Sequence, residues 1–219
     1  MNRLAIFDCD GTLVDGQANI CLAMERAFDD HRLPPPDRHA IRRIVGLSVP
    51  DAVAQLAPTL DVRRHLAVAE DFKRHFQAMR SNGGLLDEPL FEGIAEGLAR
   101  LASAGWRLGV ATGKSDRGLR MVLEHHGLAG HFLTLQTADR HPSKPHPSMV
   151  LTAMREAGAT PDATVMIGDT SYDMAMAVAA GAHPVGVGWG YHEPHELADA
   201  GAVFVAAHAT ALFNYLEAR

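Results

Sequence analysis

Leu4-Ala5-Ile6-Phe7-Asp8-Cys9-Asp10-Gly11-Thr12-Leu13-Val14-Asp15 is the stretch on which the reading of this chain turns. Leu4 to Phe7 has the length and apolar character of a short buried strand. Two carboxylates, Asp8 and Asp10, follow at i and i+2, and Gly11 lets the chain turn, so both can converge on one small volume. Like charges that close are costly without a cation. A hard divalent ion such as magnesium suits oxygen ligands and keeps waters that leave room for a phosphate. A helix-capping turn with solvated acids is the plainer reading, and the spacing alone leaves it open.

Outward from this segment, short apolar runs rich in β-branched residues recur between helical patterns: Leu108 to Ala111, Leu133 to Gln136, Thr164 to Ile167, Pro184 to Val187 and Ala202 to Val205. Strands alternating with helices predict an α/β fold, a Rossmann-like parallel sheet flanked by helices. Leu119, Val122, Leu123 and His126 form one helical stripe ending at Gly127, and the helix through Met174 to Ala180 stops at Gly181. About 90 residues separate the first two strands, far more than a crossover needs. Ile20, Ala23, Met24, Ala27 and Phe28 have helical spacing, as do Val62, Leu66, Ala69, Phe72, Phe76 and Met79. Pro34, Pro35 and Pro36 break the first pattern, and Asn82-Gly83-Gly84 ends the second. Residues 15–84 are therefore expected to form an inserted all-helical cap, with 1–14 and 85–219 as the core. A helix from Phe91 to Ala104 is expected to return the chain to it.

Three more segments lie at predicted strand ends. Thr112-Gly113-Lys114-Ser115 offers a hydroxyl and a glycine amide before a helix, an arrangement able to hold an anion; Ser115 as an ordinary N-cap explains it equally simply. Lys144 sits between prolines in Pro142-Ser143-Lys144-Pro145-His146-Pro147, and a lone lysine is usually solvent-exposed. Gly168-Asp169-Thr170-Ser171-Tyr172-Asp173 brings two further acids, which are either metal ligands or helix-start caps. All four segments fall at the C-terminal edge of the expected sheet, where open α/β folds bind ligands.

The chain has 219 residues, is 47% hydrophobic and 21% charged, and carries a net charge of −6. That charge, without a basic stripe, speaks against a nucleic-acid partner. No apolar run approaches the ~20 residues that span a bilayer. No membrane association and a cytoplasmic location are expected, with Cys9 and Cys21 as reduced thiols.

Taken together, the four segments resemble the haloacid dehalogenase superfamily, in its phosphatase branch with a helical cap after the first motif. Asp8 to Asp15, the Ser143-Lys144-Pro145 segment and Gly168 to Asp173 are most similar to phosphoglycolate phosphatase-like hydrolases. The resemblance implies Asp8 as the nucleophile that forms an aspartyl-phosphate and Asp10 as general acid and base. It implies Thr112, Gly113 and Lys144 around the phosphoryl oxygens, and Mg²⁺ on Asp8, the Asp10 carbonyl and Asp169, with Asp173 in support. The implied partner is a small phosphorylated metabolite, and a monomer or homodimer is expected. Two departures matter: Gly16 stands where a serine commonly follows Asp15, and Ile20 stands where phosphosugar mutases carry a histidine. Dehalogenases have tyrosine at the position of Asp10. A pyrophosphatase, a phosphotransferase or mutase on this scaffold, and a non-catalytic phosphometabolite sensor are the alternatives.

Among thirteen histidines, His192 and His195 invite a zinc reading, but Pro194 breaks their helical spacing and no further ligand pair is evident. The Phe72, Phe76 and Met79 stripe is expected to be core. Trp189 and Tyr191 are expected either to shape the site rim or to pack, and Gly46-Leu47-Ser48 is a candidate substrate-reading loop.

Overall fold

The computed structural model describes residues 2–219. Six parallel strands run β1 (Leu4–Phe7), β2 (Arg107–Thr112), β3 (Thr134–Thr137), β4 (Thr164–Gly168), β5 (His183–Val187) and β6 (Phe204–Ala206), in the spatial order β3-β2-β1-β4-β5-β6. β1 is central, with Phe7 paired to Val110 on one side and to Ile167 on the other. Its alternation divides the core. Ala5 and Phe7 join the cluster formed by α5 (Ile94–Ser103), α6 (Asp116–His125) and α10 (Ala209–Glu217). Leu4 and Ile6 join the cluster of α7 (Ser148–Ala157) and α8 (Ser171–Ala179). The sixth flanking helix, α9 (Pro194–Asp199), follows β5.

The insertion is α1 (Gln17–Asp30), α2 (Arg38–Arg43), α3 (Val49–Leu56) and α4 (Val62–Ser81), with a hydrophobic cluster of its own that includes Met24, Phe28, Ile41, Val53 and Val68. We read this unit as the expected cap. α1 and α4 follow the periodicity of the sequence. The short α2 and α3 between them are started by Asp37 and Ser48, whose side chains accept from backbone N–H groups in the first turn. Both strands of chain joining cap to core are tied down: Asp15 N–H donates to the Pro89 carbonyl, and the Asn19 side chain exchanges two 2.9 Å bonds with the backbone of Leu86.

Several expected boundaries move, β6 starting two residues later and β2 and β5 one residue earlier than expected. The helix expected from Phe91 begins at Ile94, because Gly93 takes the left-handed conformation (φ 80°) and Phe91 is drawn aside, donating its N–H to the Leu13 carbonyl and packing on Trp189. β3 starts one residue late, leaving Leu133 56% exposed. Among the described residues, no helix is long and apolar enough to cross a membrane.

α5 lies close to α10 because Gly97 has no side chain: a Cβ there would stand 1.8 Å from the buried Phe213 ring. Gly97→Val is expected to cost about 1–3 kcal/mol by overpacking, read as a lower denaturant midpoint at unchanged slope.

Candidate active site

Asp8 leaves the end of β1 fully buried, and its N–H donates to the Ile167 carbonyl of β4. Gly11 then turns the chain at φ 83°, in a space so tight that a Cβ would stand 2.1 Å from Asp169 Oδ2. Here the glycine supplies both the positive φ and the close approach. Thr12 Oγ1 donates to Asp169 Oδ1 at 2.8 Å, and Tyr191 N–H donates to Asp169 Oδ2 at 2.9 Å, fixing that carboxylate at the end of β4. Carboxylate oxygens of Asp8, Asp169 and Asp173 lie within 4.8 Å of one another, all buried.

Lys144, although flanked by prolines in a loop, is not exposed. Its Nζ reaches Asp8 Oδ1 at 2.8 Å and Asp173 Oδ1 at 2.7 Å with its side chain excluded from solvent. Asp173 is thereby committed. One oxygen takes Lys144, and the other accepts from Thr170 N–H (3.1 Å) and Thr170 Oγ1 (2.7 Å) in the capping box that opens α8. Asp173 is the helix cap that one sequence reading expected, and it lies beside the carboxylates of Asp8 and Asp169.

Burial and crowding act on these carboxylates together. Burial pushes the Asp8 carboxyl up to about 7, with Lys144 pulling the other way and Asp173 adding to the rise. Burial likewise raises Asp169 well above the carboxylate range, and the neighbouring Asp8 and Asp173 raise it further. Asp8 Oδ2 is buried without a hydrogen-bond partner among the described residues. An orphaned carboxylate oxygen beside a second carboxylate is a donor set suited to a hard divalent ion.

Thr112, at the end of β2, is buried, and Gly113 follows at the same edge. Ser115 does act as the N-cap of α6. One residue of this segment was not singled out from the sequence: Lys114, whose Nζ stands 2.9 Å from Asp10 Oδ1 with its side chain only 10% exposed. Burial pulls its pKa down, but facing Asp10 and the neighbouring Cys9 and Glu88 carries the net shift upward. Asp10 reaches it over Gly16, where a Cβ would be 2.5 Å from Asp10 Oδ1. The residue at which the chain departs from the resembling family is thus what leaves room for this pair.

The cap is docked on the core. Ser48 N–H donates to Ser143 Oγ at 2.7 Å, and Gly113 lies so close to the Gly46 and Leu47 carbonyls that a Cβ would sit 2.5 Å from the latter. Arg43 makes two 2.5 Å bonds to Glu196, and its carbonyl accepts from His192 Nε2–H at 3.0 Å. His192 Nδ1 accepts from Ser171 N–H, so this buried ring ties cap to core and the zinc reading is not needed. Trp189 and Tyr191 pack, Trp189 Nε1 donating to the Thr12 carbonyl. Beneath the cap lies a cavity of about 690 Å³ lined by Asp8, Asp10, Thr112 and Gly113 and, from the cap, Gly46, Leu47 and Ser48. Phe72 and Phe76 pack against the hydrophobic cluster of the insertion, as expected, and are half-buried because they also line this cavity; Met79 is buried as expected.

A family model described as haloacid dehalogenase-like hydrolase matches residues 5–187. The probable phosphatase IndB of Dickeya dadantii is 41% identical over 203 residues, covering 90% of this chain and 86% of the relative. The tyrosine-protein kinase PtkA of Mycobacterium tuberculosis is 32% identical over 220 aligned positions, 99% of this chain and 72% of the relative. The phosphoglycolate phosphatase of Rhodospirillum rubrum is 31% identical over 211 residues, 93% and 87%. The crystal structure of a predicted phosphatase from Clostridium acetobutylicum superposes with a TM-score of 0.90 over 100% of both chains at 24% identity, a likeness of fold.

Two outcomes follow from the charges. Lys144→Met strands Asp8 and Asp173 in a buried site, and is expected to lower stability by about 3–5 kcal/mol in chemical denaturation at neutral pH. Glu196 is held down at about 2 from its ordinary 4.5, chiefly by the hydrogen bonds from Arg43. Its folded value being the lower one, the pair's contribution is present above about pH 4.5 and lost as pH falls toward 2. Glu196→Gln is expected to flatten that part of the stability curve.

Proposed function

Because the chain belongs to the haloacid dehalogenase-like hydrolase family, in its phosphatase branch near the phosphoglycolate phosphatases, we propose that it hydrolyses a small phosphomonoester, with magnesium, through a phosphorylated Asp8. The observation that carries this reading is Asp8 itself: a buried carboxylate at a strand end, one oxygen on Lys144 and the other without a partner, opening on a cavity.

Asp8 attacks phosphorus as the bond to the alcohol oxygen breaks, and Asp10 gives that oxygen its proton. Water then attacks the phosphorus of the aspartyl-phosphate, Asp10 takes its proton, and phosphate leaves with the Asp8 carboxylate restored. Dividing one difficult displacement into two is what covalent catalysis accomplishes. Lys114 pairs with Asp10, which lines the cavity together with Asp8. Thr112, Gly113 and Lys144 surround the place where the phosphoryl oxygens would sit, and phosphoryl transfer depends chiefly on such positioning and charge. Asp8, Asp169 and the Asp10 carbonyl would hold the magnesium ion, Asp173 supporting them through Lys144. When bound, the ion neutralises the crowded carboxylates and the phosphoryl oxygens.

The relative named as a tyrosine-protein kinase favours one second reading, in which the phosphoryl group on Asp8 passes to an acceptor other than water. Phosphate release from p-nitrophenyl phosphate with magnesium and with chelator tests the first reading. Release is expected only with the metal, and Asp8→Asn is expected to reduce it at least about 10³-fold. A protein that stays phosphorylated, and gives up the phosphoryl group only to a second alcohol that then carries it as a new ester, would support the transfer reading instead.

A further inference from the structure

The cavity over Asp8 is larger and more apolar than a two-carbon acid or a sugar requires. Its roof is built from Ile20 and Met24 of α1, Ile44 and Leu47 of the loop between α2 and α3, and Phe72 and Phe76 of α4. The two phenyl rings lie with centroids 5.9 Å apart. The volume of about 690 Å³ lies beneath an insertion that touches the core through Ser48, Gly46 and Arg43. Cavities of this size hold ligands with a substantial apolar body fixed by a few polar groups.

Several polar groups on its walls are already paired. Lys114 faces Asp10 and Ser48 Oγ donates to Asp51, while Lys73 meets Glu70 in a solvent-exposed pair. Ser143 Oγ accepts from Ser48 N–H, and both His141 nitrogens face Ser148 and Gln136. A polyol would have to displace these bonds or leave its hydroxyls unpaired against hydrocarbon, which is costly. A second carboxylate would compete with Asp10 for Lys114. Arg80, the other cation near the phenyl wall, stands 5.5 Å from the Phe76 ring centroid and 3.9 Å from Glu88. The exposed rim, with Gln77 and Arg117, leaves the mouth for any polar end.

We infer that the phosphate ester this enzyme prefers carries a bulky apolar, ring-bearing alcohol that packs beneath Phe72 and Phe76, rather than glycolate or a sugar. This rests on the phosphomonoesterase reading of the same site. It makes Phe76 and Phe72 residues that set specificity, acting on the leaving alcohol and not on phosphorus.

Ethyl phosphate, 2-phenylethyl phosphate and phosphoglycolate test it, since the first two release alkyl alcohols that differ chiefly in apolar bulk. Expected is a kcat/KM for 2-phenylethyl phosphate at least about tenfold above both others, carried mainly by KM. In Phe76→Ala, and in Phe72→Ala as an independent variant, its ratio to ethyl phosphate is expected to fall toward one. Comparing ratios within each variant separates lost selectivity from lost fold, and the wild-type comparison stands even if both variants fail to fold. Equal values for the two alkyl esters, or a preference for phosphoglycolate, overturn the inference and leave the phosphatase reading standing. No release from these esters or from p-nitrophenyl phosphate overturns both.

Discussion

Three carboxylates and one ammonium share a volume from which water is excluded, and the rest of the molecule is arranged to hold them there. Asp8, Asp169 and Asp173 would separate if they could, because like charges in a buried site repel strongly. They cannot separate, because each is fixed by a different element. Asp8 ends β1, Asp169 ends β4 between Thr12 and the Tyr191 amide, and Asp173 is locked into the first turn of α8. Lys144 closes the group from a fourth segment. The cost of such a cluster is tolerable only in a scaffold stable enough to enforce it, and strands buried on both faces supply that rigidity.

Parallel pairing explains why the edge, and not some other part of the surface, carries the chemistry. Phe7 in register with Val110 and Ile167 brings three strands to an end at the same level, so Asp8, Thr112 and Asp169 arrive together despite lying more than a hundred and fifty residues apart at the extremes. The helical insertion leaves that sheet undisturbed because it departs after Val14 and returns at Leu90, two residues that pair with each other as an isolated bridge. A unit attached through so narrow a base can change its inner surface without altering the reacting groups.

Much of this was legible in the sequence because strand ends announce themselves: an apolar run followed at once by acids, hydroxyls and glycine marks both an element and its functional edge. The strands, the two long cap helices and the convergence of Asp8, Asp169, Thr112 and Lys144 could be read that way. What escaped depended on tertiary reach. Lys114 looks like any surface lysine until the fold places a carboxylate beside it, and its pairing with Asp10 depends on the empty space at Gly16. α2 and α3, of six and eight residues, are too short for periodicity to register. The Phe72 and Phe76 stripe has the spacing of core, and spacing cannot say whether the face it marks meets another helix or a cavity.

That last ambiguity bears on how likeness to other phosphatases should be used. The four segments read from the sequence all lie on the sheet edge or in the loops supporting it, and in the proposed reaction they meet phosphorus and its oxygens, which every phosphomonoester shares. The alcohol meets a different surface, supplied by α1, by the loop between α2 and α3, and by α4, none of which carries those segments. Similarity to a phosphoglycolate phosphatase at 31% identity, alongside similarity to a kinase at 32%, therefore bears on the phosphoryl transfer far more directly than on what receives or releases it. Here the inner surface includes Ile20, Met24, Leu47 and the two phenyl rings, and several of its polar groups are already paired. Specificity in such a site arises by matching apolar area and excluding water, a contact that strengthens binding of the ester without requiring any change in Asp8, Asp10 or Lys144.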